Sequence, residues 1–218
     1  MCFSPTASFI TAAVTGLAGV IAMTRVRHPR ELPLAATPIL FALQQTLEGL
    51  LWLKLPLAPD GPAAQALALG FLIFAECFWP LYAPLAVLAI EPENRRRRLI
   101  LPWLAVGAAV SAYLLWQLLI GPHKAVILHD HMVYQTQQRH IAAVGTAYLA
   151  AVSLPLLMSS RRTIQVLGTI VLVGCAVAYI FYWAAFQSVW CFFAAAASAV
   201  IAAHFEWARR NVPRVAEA

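Results

Sequence analysis

Apolar residues run through this chain in long blocks, and the polar residues gather in the short stretches between them. Each block is about the 20 residues that a helix needs to cross a bilayer. The first opens on Ser4-Pro5, a side-chain cap followed by proline at the first helical position, and runs to about Met23. The next two cover about 34–54 and 64–90, the latter with Pro80 and Pro84 inside it. A polar break, Glu91-Pro-Glu-Asn-Arg-Arg-Arg-Arg98, precedes a fourth block ending near Ile120. Three more cover about 138–158, 163–182 and 187–206. The pattern predicts an all-α integral membrane protein: a seven-transmembrane-helix bundle over 1–206 and a short tail over 207–218.

The links between blocks fix the orientation. Arg25, Arg27, Arg30, Arg95 to Arg98, Arg161, Arg162, Arg209, Arg210 and Arg214 all fall on one side of a seven-span arrangement. Only Lys54, Lys124 and Arg139 fall on the other. Basic residues accumulate in cytoplasmic links, so the N-terminus is expected outside and the C-terminus in the cytoplasm.

Composition agrees with the lipid bilayer as principal partner. Hydrophobic residues make up 62% and charged residues 11%, with mean hydropathy +0.76, against about 25% charge in soluble chains. The net charge of +6 sits in interhelical links, which argues against a nucleic-acid partner. Cys2, Cys77, Cys175 and Cys191 show no CxxC spacing and give no disulfide framework. The start lacks the basic region and cleavage site of a signal peptide, so the first helix is expected to be retained. Along that helix Ala12, Gly16 and Gly19 leave room for a neighbouring backbone.

The candidate chemistry lies in the polar residues inside the spans, where a carboxylate facing lipid costs at least about 2.5–3.5 kcal/mol. Gln44, Gln45 and Glu48 share one face of the second helix, with Glu48 about 9 Å below Lys54 at the helical rise. Glu76, in Phe-Ala-Glu-Cys-Phe-Trp-Pro, lies roughly 16 Å below Gln65. No lysine or arginine inside the first four spans can neutralise them. A shared proton, hydrogen bonds to Gln44 and Gln45, or a metal ion would each relieve the charge.

Two further groups belong to the same, outer side. His129-Asp130-His131 lies in the 121–137 link, which is long enough to fold over the bundle mouth, and it otherwise reads as a solvated loop. Cys2 lies beside the positive end of the first helix, where a thiolate is favoured. Cys2, Glu48, Glu76 and His129 or His131 would make a mixed sulfur, oxygen and nitrogen set suited to Zn2+. Their shared side follows from the sequence, and their contact does not.

The opening Met-Cys-Phe-Ser-Pro-Thr-Ala-Ser-Phe9, together with Leu43-Gln-Gln-Thr-Leu-Glu-Gly-Leu-Leu-Trp52 and Glu76-Cys-Phe-Trp-Pro80, resembles a family of bacterial multi-pass membrane proteins whose function is unknown and whose members begin Met-Cys-Phe-Ser. The resemblance implies the bacterial cytoplasmic (inner) membrane and family roles for Cys2, Gln45, Glu48 and Glu76. It implies no activity. Motifs of other seven-helix classes are missing: the last span has no lysine for retinal, no late His-x-x-x-His pair occurs, and there is no Gly-x-Ser-x-Gly nucleophile.

Three functions compete. The first is an outward-facing metal site, extending to a zinc enzyme in which Glu48 or Glu76 is the base for a metal-activated water acting on a small-molecule substrate. The second is a channel or transporter for protons or a small cation with Glu48 and Glu76 as stations. The third is a sensor or scaffold without chemistry.

Overall fold

The computed structural model describes residues 4–136, 141–181, 186, 189–190, 193, 195 and 197–210. Among them are seven helices, if the interrupted helix over 62–90 counts as one. They are α1 (Pro5–Met23), α2 (Leu32–Lys54), α3 (Pro62–Leu72) continued by α4 (Trp79–Ile90), α5 (Asn94–Ile120), α6 (Ile141–Met158), α7 (Arg162–Phe181) and α8 (Ser198–Arg210). Five are long and apolar enough to cross a membrane, and α6 is a shorter apolar helix. Cys2, Arg139, His140, Cys191 and the end of the tail lie outside the described residues.

Local chemistry sets the helix ends. The Ser4 hydroxyl accepts from the Ala7 N–H at 3.2 Å, with Pro5 following it, as the sequence predicts. A 3-10 turn, Pro29–Glu31, leads into α2, and Glu31 Oε2 accepts from the N–H groups of Arg27 and His28 at 2.8 and 3.3 Å. Gly61 and Pro62 start α3.

The small-residue stripe of α1 packs on α2. A methyl group at Gly16 would meet Ala42, and one at Gly19 would overlap Ile39. Outward on α1, Ile10, Val14 and Leu17 are 59%, 61% and 63% exposed. Such a row is untenable in water and ordinary against hydrocarbon, so α1 presents a lipid-facing flank.

The helix over 62–90 changes register part-way along. A π turn, Ile73–Phe78, joins α3 to α4. Proline has no N–H to give. In the π register the donor to the Ala75 carbonyl would be Pro80, so that carbonyl needs another partner, and the Tyr148 hydroxyl of α6 donates to it at 2.6 Å. Pro84 likewise leaves the Pro80 carbonyl without its helical donor. There α5 makes its closest approach: a methyl group at Gly107 would collide with the Pro80 carbonyl oxygen.

The 121–137 link is not a loop. It forms an antiparallel hairpin, β1 (His123–Leu128) with β2 (His131–Thr136), in which Ala125 faces Tyr134 and Leu128 faces His131. His129 and Asp130 have φ of 48° and 60°, the left-handed pair that a two-residue hairpin turn of matching twist requires. Met132, Tyr134 and Ala125 are buried. The Lys124 ammonium pairs with Asp60 at 2.6 Å, tying the hairpin to the α2–α3 link.

The opposite end of the bundle is clasped around Glu91. Its Oε2 accepts from the Ser159 hydroxyl and the Ser160 N–H, both at 2.9 Å, and its Oε1 from the Glu93 N–H at 3.3 Å. Arg96 donates to the Met158 carbonyl at 2.9 Å and Arg97 to the Leu88 carbonyl at 2.7 Å. The polar break before α5 therefore docks onto the α6–α7 turn. Burial opposes ionisation of Glu91, but donation from Ser160, Ser159 and the Glu93 N–H holds its carboxyl below the usual range.

Candidate functional site

The polar face of α2 turns inward as its composition requires. Gln44 and Glu48 have no exposed surface, Gln45 has 2% and Glu76 has 5%. At one level Gln44 Oε1 accepts from the Trp79 indole N–H at 2.8 Å, and the Trp79 ring stacks on Phe41 at 4.0 Å. About 6 Å further along α2, one turn away, Glu48 Oε1 meets the Tyr134 hydroxyl at 3.5 Å. The Tyr134 ring lies parallel to Phe71 of α3 with centroids 4.4 Å apart. The hairpin thus roofs the end of the bundle that holds Glu48.

Glu76 sits within the π turn, between Phe71 and Trp79, the two α3–α4 residues that close on the Glu48 and Gln44 levels. Beside Glu48, two buried donors have no hydrogen-bond partner among the described residues: the Gln45 amide nitrogen and the Trp52 indole nitrogen. Gln45, Glu48 and Trp52 are three and four residues apart, hence on one helical face. That face combines a carboxylate with donors that require an oxygen acceptor.

On the other side of the Gln44–Trp79 level lies an apolar cavity of about 60 Å³. It is bounded by α2 through Phe41, α4 through Trp79 and Tyr82, α6 through Tyr148, and Trp190. Neither glutamate is among its described lining residues.

The metal set is overturned. Among the described residues no group of three or more His, Cys, Asp or Glu is placed to hold a metal ion. The reason is the hairpin register. His129 occupies the turn and His131 the last pair before it, and the His131 Nδ1 lies 2.6 Å from the His129 carbonyl oxygen. The residues that reach the interior from β2 are Met132 and Tyr134, so the ring aimed at Glu48 is a phenol rather than an imidazole. Cys2 lies outside the described residues. The Zn2+ centre, the metal-binding reading and the zinc enzyme built on Glu48, Glu76, His129 and His131 fall together.

Tyr134 is a partner of Glu48 that sequence reading missed, because Met132-Val-Tyr134 is continuously apolar and its alternate burial does not show in the sequence. Glu91, which the sequence places in a polar break, is 2% exposed. Its partners, 68 and 69 residues away, leave no local trace.

Comparison with curated proteins and with solved structures gives no match. A family model does match, over residues 1–218. The buried carboxylates, the hairpin roof and the interrupted helix are therefore features of a multi-pass, mostly helical membrane protein that belongs to a family of unknown function (DUF6629).

Proposed function

We propose that this protein moves a proton or a small cation across the bacterial cytoplasmic membrane, with Glu48 and Glu76 as its exchange sites and the β1–β2 hairpin as the cover between them and the outside. The observation that carries the reading is a fully buried carboxylate, Glu48, whose described partner Tyr134 comes from an extramembrane hairpin. Carboxylates at bilayer depth are expensive and commonly mark ion paths. The Gln45 and Trp52 donors flanking Glu48 suit the oxygen of a water that carries a proton or hydrates a cation.

The orientation belongs to the same proposal. Arginines 25, 95 to 98, 161 and 162 stand at the Glu91 end and Lys124 at the hairpin end, so the hairpin faces outward, the N-terminus is outside and the C-terminus cytoplasmic. Seven spans over 1–206 and a tail from 207 complete it.

The apolar cavity inward of Glu48 favours a closed, alternating device over an open channel, because an apolar aromatic lining offers few partners to a standing water wire. A second reading, a sensor that binds a proton or ligand without passing it on, rests on the same segment. Reconstitution separates them. In proteoliposomes carrying a pH-sensitive dye, an imposed gradient should decay faster with protein than without. Glu48→Gln should remove most of that excess, and Glu76→Gln should reduce it. Flux unchanged in the double variant rejects the transport reading, while absence of flux in the wild type favours the sensor.

A further inference from the structure

The cavity on the inner side of the Gln44–Trp79 level has an unusual wall. Five aromatic rings line it, Phe41, Trp79, Tyr82, Tyr148 and Trp190. The four that carry a polar tip spend it elsewhere. Trp79 donates to Gln44 at 2.8 Å, Tyr82 to the Pro33 carbonyl at 2.7 Å, Tyr148 to the Ala75 carbonyl at 2.6 Å and Trp190 to the Val171 carbonyl at 3.4 Å. The Thr37 hydroxyl, also in the wall, donates to the Pro33 carbonyl at 3.2 Å.

Two consequences follow for a guest. These N–H and O–H groups are already given to acceptors in the protein, so a guest with a carbonyl or carboxylate would find none of them free to donate to it. A guest group without acceptors avoids that cost. Donation of the indole and phenol hydrogens to outside acceptors also polarises the rings, adding electron density to the surfaces that bound the cavity. Electron-rich rings around an apolar space attract a cation whose charge is spread over methyl groups. Glu48 lies one helical turn beyond Gln44 on α2, outside this lining.

We infer that this cavity is a binding site for a quaternary ammonium group, a compact methylated cation such as the head of a choline-like or betaine-like molecule. About 60 Å³ is several times the roughly 10–15 Å³ that one water requires on that measure, which suits one compact group. The site stands on the cavity alone. It meets the transport reading only in naming a class of cation that the bundle admits.

Choline and its neutral isostere 3,3-dimethylbutan-1-ol have nearly the same shape and differ in the charged nitrogen. Binding of radiolabelled choline to the full-length protein in lipid nanodiscs is measured, with each compound as unlabelled competitor. Choline should compete at about ten-fold lower concentration than the isostere. Trp79→Leu should weaken binding by about the same factor, and Trp79→Phe should restore part of it. Equal competition by the two compounds overturns the inference, as does the absence of saturable choline binding to the wild type. The comparison on the wild type requires no variant to fold. A protein that binds choline but shows no Glu48-dependent flux loses the transport reading and keeps this site.

Discussion

The Tyr134 hydroxyl and the Glu48 carboxylate meet at 3.5 Å across 86 residues of chain. One belongs to a hairpin strand and the other to the buried face of α2. On the hairpin side of that carboxylate the Tyr134 ring stacks on Phe71.

Removing the stack should uncover the carboxylate. Tyr134→Ala loses both the ring and the hydroxyl, whereas Tyr134→Phe keeps the ring over Phe71. Modification of Glu48 by a carbodiimide, followed by mass spectrometry, should accelerate several-fold in Tyr134→Ala and much less in Tyr134→Phe. Equal rates in all three proteins would mean that the hairpin does not control entry.

The contact of Gly107 with the Pro80 carbonyl sets a second expectation. Gly107→Ala would place a methyl group where the carbonyl oxygen lies. Helix propensity favours alanine by roughly 1 kcal/mol. The collision is with backbone, which cannot rotate away, and overpacking of this kind costs about 1–3 kcal/mol or more. The collision should win, seen as a lower unfolding temperature in detergent. Gly145, with nothing within 4 Å of an added methyl group, is the matched control, and Gly145→Ala should leave the temperature unchanged or raise it.

Glu91 gives a pH dependence whose sign is fixed. Its carboxyl lies below the usual range in the folded protein, so folding favours the ionised form. That stabilisation is present above the ordinary glutamate value of about 4.3 and disappears as pH falls through the lower folded value. Thermal unfolding at a series of pH values between about 3 and 7 should show the loss in the wild type. Glu91→Gln should be less stable at neutral pH and show a smaller slope in the acid window. Parallel curves would remove Glu91 from the clasp.

What could be read in advance divides along range of interaction. The first four spans and the one over 163–182, the Ser4 cap and the inward turn of Gln44, Gln45 and Glu48 follow from periodicity and from the cost of polar groups in lipid, and these are found. The hairpin escaped because its turn carries His129-Asp130 in place of the Asn-Gly or Asp-Gly pairs that signal one, and its strands are only six residues long. Pro80 and Pro84 announced an irregular helix. Which carbonyls would be released, and what would meet them, depended on Tyr148 and Gly107 in other helices. The histidines misled for a related reason: a shared side of the membrane was legible, and strand register, which decides which side chain looks inward, was not.

The π turn carries one more residue than an α-helix would use over the same rise. Glu76 lies within that surplus. In an unbroken helix the direction of a side chain is dictated by its neighbours in sequence. Here it depends on where the additional residue is parked, and displacing it past Glu76 would swing the carboxylate by about 100° around the axis. The Tyr148 hydroxyl, bonded to the carbonyl immediately before Glu76, is the pin that holds it in place. The aim of an acidic group in one helix is thereby governed by a phenol in another, bonded to a carbonyl 73 residues before it in the chain.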